Sequence, residues 1–352
     1  MEKIREYKYD NFKFLLIFLV VFGHLLELHN VNILYVSIYM FHMPMFIYIS
    51  GYFTKGNLKS VINKLYIYVI WETIYYLFYK YVLNNNLTLN YLKAPIWILW
   101  YIFALIAWEL IMIIVNIFKR KKAKHFKEIN SLFCYGVLAV SFIASIMSSF
   151  INNIGYDYCL SRIITFFPYF LIGYFQKNYN FNLFEMKSKT RKSIYKILSF
   201  FIMAVISISY FVLLNNQIQG RWLYGSYSYA NGGYTWTFKT MWILLSLSVI
   251  FLLNNIIPNK KIMIISKLGS NTLIIYLVHG IIIKFMGKYS SYIFQDNSYI
   301  NITIYLGISV LLIIVLGNDL IKKCLTFVTN IIKILNRISE KNKKRMESSY
   351  EY

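Results

Sequence analysis

Ten apolar runs, each close to twenty residues long, dominate this chain of 352 residues: 12–28, 33–53, 61–83, 95–118, 131–150, 159–177, 194–214, 236–254, 268–287 and 299–317. An α-helix needs a run of about 20 apolar residues to cross the hydrocarbon core of a bilayer. Inside that core only helices and closed barrels satisfy their own backbone hydrogen bonds. Continuous runs also exclude the ~10-residue alternating strands of a barrel. The expected fold is therefore an all-α polytopic membrane protein with ten transmembrane helices. Composition agrees, with 58% hydrophobic and only 14% charged residues, against ~25% charged in soluble domains.

The net charge of +23 would suit a nucleic-acid binder, but its placement argues for a membrane. Thirty of the 37 Lys and Arg residues lie before or at the start of the first run, in the even-numbered loops or the run ends that flank them, or in the tail. "KRKKAKHFK" alone contributes six. Basic residues concentrate on the cytoplasmic side of membrane proteins. This asymmetry predicts both termini and all even loops in the cytoplasm, a multi-pass location in the cell (plasma) membrane, and no nucleic-acid partner. Residues 1–318 read as one membrane domain. Residues 319–352 read as a cytoplasmic basic amphipathic helix, "DLIKKCLTFVTNIIKILNRI", with a disordered end. The first run lacks a small-residue cleavage site and is expected to stay in place as a helix. Three cysteines, Cys134, Cys159 and Cys324, have neither metal-site spacing nor an even count, so neither a metal nor a disulfide framework is expected.

Ionisable side chains inside a span cost ~2.5–3.5 kcal/mol at the helix centre on insertion scales, so each is a candidate functional residue. His24, Glu27, His42, Glu72, Glu109, Arg162 and His279 fall inside the runs. With alternating helix directions, His24, His42 and His279 reach a similar depth from three helices, and Arg162 stands near the outer end of the sixth. They could line one outward-biased cavity, or each could simply bond a neighbouring helix. Lys13 and His24 are eleven residues apart. That is ~20° past three full turns, so they share one helix face about 16 Å apart along the axis. The distance suits a phosphopantetheine arm, with a cation at the inner margin and an imidazole at the thioester. A snorkelling lysine and an unrelated histidine would produce the same spacing. "YMFHMPMFIYISGYF" (39–53) adds Pro44, which frees a carbonyl one turn earlier, and a Ser50-Gly51 pair that permits close helix contact. The longest outer loop, 215–235, is rich in Tyr and Gly and reads as a lid or glycan-contacting surface, or equally as an aromatic belt.

Four stretches together resemble the acyltransferase family 3 of integral membrane proteins, in particular its fucose 4-O-acetylase-like branch: "YDNFKFLLIFLVVFGHLLE", "FHMPMFIYISGYF", "WILWYIFALI" and "LGSNTLIIYLVHG". The resemblance runs from Tyr9 to about Leu316. It implies transfer of an acetyl or other short acyl group from acyl-CoA, with acetyl-CoA as donor, to a hydroxyl of a cell-surface or lipid-linked glycan. Its basic-x10-His pattern falls on Lys13, which would hold the coenzyme A phosphates, and on His24. The double-arginine motif of the O-antigen-modifying branch has no clear counterpart here.

Acyl transfer needs a base for the attacking hydroxyl and a donor for the developing oxyanion. His24 is assigned as the base. His42, His279 or Arg162 would stabilise the oxyanion or position the acceptor, with Glu72 a further candidate for substrate contact. Glu27 could orient the His24 ring or simply face the interface; the part played by Glu109 is open. The rival reading is a glycan flippase or exporter without acyl transfer, although no internal repeat supports one.

Overall fold

A computed structural model describes residues 5–29, 32–85, 87–121, 131–179, 181–184, 191–214, 217–289 and 298–323. Among these the chain is all-helical. The helices are α1 (Tyr7–Leu26), α2 (Asn32–Tyr39), α3 (His42–Phe53), α4 (Leu58–Leu77), α5 (Trp100–Lys121), α6 (Ser131–Ser148), α7 (Leu160–Tyr179), α8 (Arg191–Leu213), the short α9 (Tyr229–Gly232), α10 (Trp236–Ile256), α11 (Met263–Ser270), α12 (Thr272–Lys288) and α13 (Ser298–Leu316).

Every one of the ten predicted runs falls on helix. Seven spans are long and apolar enough to cross a membrane, or eight if the bent pair α11–α12 counts as one. The chain is thus a multi-pass membrane protein. The basic loop around His125, the side chain of His29 and residues 324–352 of the predicted tail lie outside the described residues.

Helix α1 is the hub: it packs against α2, α3, α11, α12 and α13. Its burial runs from Tyr9 and Asp10 through Leu16, Val20 and Leu25, so from Phe14 to Phe22 apolar residues are retained around the whole helix. Helices α3 and α7 cross in close backbone contact. A Cβ on Gly51 would come within 2.0 Å of the Phe170 carbonyl, and one on Gly173 within 1.9 Å of the Tyr48 carbonyl. No side chain fits between these backbones, so Gly51 performs the close-contact role expected of it. Helix α8 shows the opposite pattern, with Tyr195, Phe201, Val205 and Val212 exposed, as suits a helix facing lipid.

Two predicted helices are broken. The run 33–53 ends as α2 at Tyr39 and restarts as α3 at His42. Pro44 in the first turn of α3 cannot donate to the Met40 carbonyl, and the Trp242 indole N–H donates to that carbonyl instead, at 2.7 Å. The His42 ring donates from Nδ1 to the Ile38 carbonyl at 2.8 Å. The second break, at Asn271, bends α11 from α12 by 74°. There the Asn271 amide donates to the Gly317 carbonyl at 2.8 Å, tying the bend to the end of α13.

Candidate active site

The last turn of α1 delivers His24 to a cavity of about 200 Å³ that His42, Trp97, Arg162 and Tyr224 also line. The His24 ring is held on three sides. Its Nδ1 lies 3.0 Å from the Tyr39 hydroxyl and 3.4 Å from a Glu27 carboxylate oxygen. The Trp97 ring sits 4.7 Å from it, centroid to centroid. An ionised carboxylate only accepts hydrogen bonds, so the Glu27 contact favours the proton on Nδ1 and leaves the lone pair on Nε2. Glu27 therefore orients the imidazole, one of the two roles open to it from sequence.

The structure brings His42 to the same cavity through Tyr39, whose ring lies 4.6 Å from the His42 ring. With Nδ1 committed to the Ile38 carbonyl, His42 carries its lone pair on Nε2 as well. His279 comes close but stands behind the wall. Its ring is 5.6 Å from that of His24, it is fully buried, and its Nδ1 donates to the Ile275 carbonyl at 2.9 Å. Its Nε2 is buried without a hydrogen bond among the described residues. The three histidines thus do converge from three helices, with two at the cavity surface and one supporting.

Arg162 projects from α7 into the cavity between two rings, with its guanidinium carbon 4.9 Å from the Trp100 centroid and 5.0 Å from that of Tyr156. Its Nε donates to the Tyr224 carbonyl at 3.2 Å. This cation is stabilised by π-faces and a carbonyl, and its guanidinium is a hydrogen-bond donor at the cavity wall. The bond also fastens the outer loop to the bundle. Two glycines let the loop fit: Gly225 adopts φ +66°, and a Cβ on Gly220 would strike the Tyr35 ring at 2.2 Å. The Tyr224 and Tyr35 hydroxyls then meet at 2.6 Å. Burial, reinforced by the Glu27 charge, pushes the Tyr224 phenol up to about 12, so it serves as a neutral hydrogen-bonding group. Part of the 215–235 loop is therefore a wall of the site.

Glu72 lies outside the cavity lining, wholly buried. One carboxylate oxygen accepts the Ile96 backbone N–H at 2.9 Å, and the other has no hydrogen bond among the described residues. This tether holds the turn that presents Trp97, which adopts φ +44°, a left-handed conformation costly for an aromatic residue. The Lys284 ammonium lies over the Trp97 ring, 4.2 Å from its centroid.

Lys13 borders a second cavity of about 340 Å³, with Ser50, Ser60, Lys64 and Thr272 among its other lining residues. Its ammonium pairs with Asp10 at 3.1 Å, and Asp10 also receives Arg5 at 2.8 Å. Lys64 pairs with Glu109, whose carboxylate accepts from the Ser60 hydroxyl at 3.0 Å and from the Gly56 N–H at 3.1 Å. Glu109 thus anchors the α3–α4 connection. Lys13 and His24 share α1 but border different cavities. Tyr101 and Tyr276 line both.

Sequence reasoning missed Tyr39, Trp97, Tyr101 and Tyr276. All four stand inside the stretches quoted above, Tyr39 three positions before His42 and Tyr276 three before His279, but nothing in those stretches separates them from their aromatic neighbours.

A 62-residue stretch is 45% identical to nodulation protein NolL of Sinorhizobium fredii, covering 15% of this chain and 17% of that protein. The chain thus spans well under two thirds of this relative. No solved structure matches the chain. The family model described as an acyltransferase domain matches residues 6–318, which takes in both cavities and every residue that lines them. The chain belongs to this acyltransferase family, the acyltransferase family 3 of integral membrane proteins.

Proposed function

We propose that the protein is a membrane O-acyltransferase that moves an acetyl or other short acyl group from acyl-CoA to a hydroxyl of a cell-surface or lipid-linked glycan in the plasma membrane. The observation that carries this reading is the His24 constellation. One imidazole is oriented by a carboxylate and a phenol, at a cavity that also contains a guanidinium with no ion pair among the described residues, within an acyltransferase domain. His24 acts as the general base and takes the proton of the attacking hydroxyl on Nε2. Its Nδ1–H points to Glu27, which stabilises the imidazolium as it forms. Arg162 supplies donors for the oxyanion, a role for which the neutral Nδ1–H form of His42 has no donor left on Nε2. His42 instead accepts a hydrogen bond from the acceptor sugar, and His279 braces the His24 ring.

The positive-inside asymmetry puts the Lys13 end of α1 in the cytoplasm, where coenzyme A is found. Acyl-CoA, a substrate here, then enters the second cavity, where Lys13 and Lys64 attract its phosphates. The acceptor reaches the His24 cavity from the opposite side, beside the outer loop.

Purified protein in liposomes, given labelled acetyl-CoA and envelope glycan from the native cell, should release free thiol and label the glycan. His24→Ala should lower that rate by about 10²- to 10⁴-fold, the usual contribution of a general base. Glycan movement across the membrane with no thioester consumed would overturn this reading in favour of the flippase or exporter.

A further inference from the structure

The two cavities along α1 have Tyr101 and Tyr276 in common and no other lining residue among those described. These two rings therefore stand between the Lys13 side and the His24 side. They meet edge to face, with centroids 5.4 Å apart. Each is latched to a different element. The Tyr101 hydroxyl lies 2.5 Å from Ser50 Oγ on α3. Ser50 is itself fixed, donating to the Phe46 carbonyl at 2.9 Å, so it receives the tyrosine proton. The Phe46 ring packs on Tyr101 edge to face at 5.7 Å. Tyr276, on α12, donates its hydroxyl to the Ile98 carbonyl, in the same short turn that presents Trp97 to His24. The Ser50 hydroxyl of the Ser-Gly pair thus has a task separate from the packing done by Gly51.

An acyltransferase whose donor and acceptor arrive from opposite faces needs a route for the thioester and a barrier to everything else. A passage open throughout would conduct protons and ions. It would also line up water with the thioester. Transfer and hydrolysis consume the same bond. In transfer, the acceptor hydroxyl gives its proton to His24, its oxygen bonds the acyl carbon as the C–S bond breaks, and the proton ends on the coenzyme A sulfur. In hydrolysis water takes the hydroxyl's place, and the products are the free acid and the thiol. No other difference separates them, so the outcome depends on which nucleophile reaches the thioester.

Resting on the acyl-transfer reading above, we propose that Tyr101 and Tyr276 are specificity-determining residues: a closed aromatic partition that parts only around the arm of a bound acyl-CoA and so commits the acyl group to the acceptor instead of water. Ser50 and the Ile98 carbonyl are its latches. The occupant of the opening is a slim, flexible thioester chain; the bulky nucleotide stays on the Lys13 side.

The test uses the full-length protein in liposomes, with acetyl-CoA as probe and no acceptor. Tyr276→Ala and Tyr101→Ala should raise acceptor-independent thiol release at least tenfold over the parent protein, with acetate as the other product. Adding His24→Ala to either should abolish that release. Should an alanine variant fail to fold, Tyr101→Phe and Ser50→Ala keep the packing and remove the latch, and should raise release by at least twofold. A second readout needs no chemistry: vesicles loaded with a pH-sensitive dye should equilibrate faster after an external pH jump when they carry the double alanine variant. Unchanged release together with unchanged dye kinetics overturns the partition. If the parent protein consumes no acetyl-CoA even with acceptor present, the acyl-transfer reading fails, and the dye kinetics alone then decide whether the two rings seal the passage.

Discussion

Removing the Glu72 carboxyl should disable the site without touching it. The side chain is completely buried, and its accepting oxygen is 2.9 Å from the Ile96 nitrogen. Ile96 stands between Pro95 and Trp97, both of which line the His24 cavity. In Glu72→Ala the Ile96 N–H is left buried without an acceptor, at a cost of about 1–3 kcal/mol. The left-handed backbone at Trp97 stores a comparable ~1–3 kcal/mol. Loss of the tether is therefore large enough to release the turn. At about 1.4 kcal/mol per factor of ten, turnover should fall by roughly 5- to 150-fold. Glu72→Gln keeps an acceptor oxygen for Ile96. Its amide nitrogen takes the place of the oxygen that already has no hydrogen bond, so one orphan replaces another, and most of the activity should survive. The assay is acceptor-dependent thiol release from acetyl-CoA, run beside thermal melting in detergent. If Gln fails as badly as Ala while melting normally, the carboxyl acts through its charge or proton and the tether argument is wrong.

Two further substitutions probe other parts of the frame. Trp242→Phe leaves the Met40 carbonyl without the indole donor now 2.7 Å away and should destabilise the protein by about 1–3 kcal/mol; adding Pro44→Ala restores a backbone N–H to that carbonyl and should recover most of the loss in a melting experiment. Lys13→Ala should raise KM for acyl-CoA severalfold with kcat nearly unchanged, as expected when a contact equally strong in ground and transition states is lost, and the effect should shrink as salt is raised.

The helices were legible because lipid forces hydrophobicity and backbone satisfaction into the same twenty-residue units. The run 131–150 and helix α6, or 236–254 and helix α10, agree to within two residues at each end. The breaks were less visible. Pro44 signalled a freed carbonyl, but its effect became a full interruption between Tyr39 and His42 because Trp242, some two hundred positions on, takes up the exposed group. Asn271 bends its helix because Gly317 lies beside it. Neither partner has a local signature. At the site, depth counting brought the histidines together correctly but could not tell a lining ring from one packed behind it. The eleven-residue spacing placed Lys13 and His24 on one helix, while the rings between their cavities come from α5 and α12 and are two among 33 tyrosines. The Lys13–Asp10 pair, at an i, i+3 spacing, was readable in principle, since such neighbours face each other on any helix.

One physical rule links the breaks to the chemistry. Irregular backbone at membrane depth survives only where protein groups replace the missing helical bonds. Here the replacements are residues that line the His24 cavity, together with Glu72 behind it. His42 serves the Ile38 carbonyl, Glu72 the Ile96 N–H, Tyr276 the Ile98 carbonyl and Arg162 the Tyr224 carbonyl. Each polar side chain is thereby aimed by a backbone group it also satisfies, so its orientation is rigid without a dedicated supporting residue. The same economy means that truncating one of these residues removes a side chain and a partner of the backbone together. Activity loss alone therefore cannot assign a role to any of the four. A substitution that keeps the backbone bond and alters only the remaining atoms, as Glu72→Gln does, separates the two effects, and a melting temperature that stays put while turnover falls identifies the chemical one.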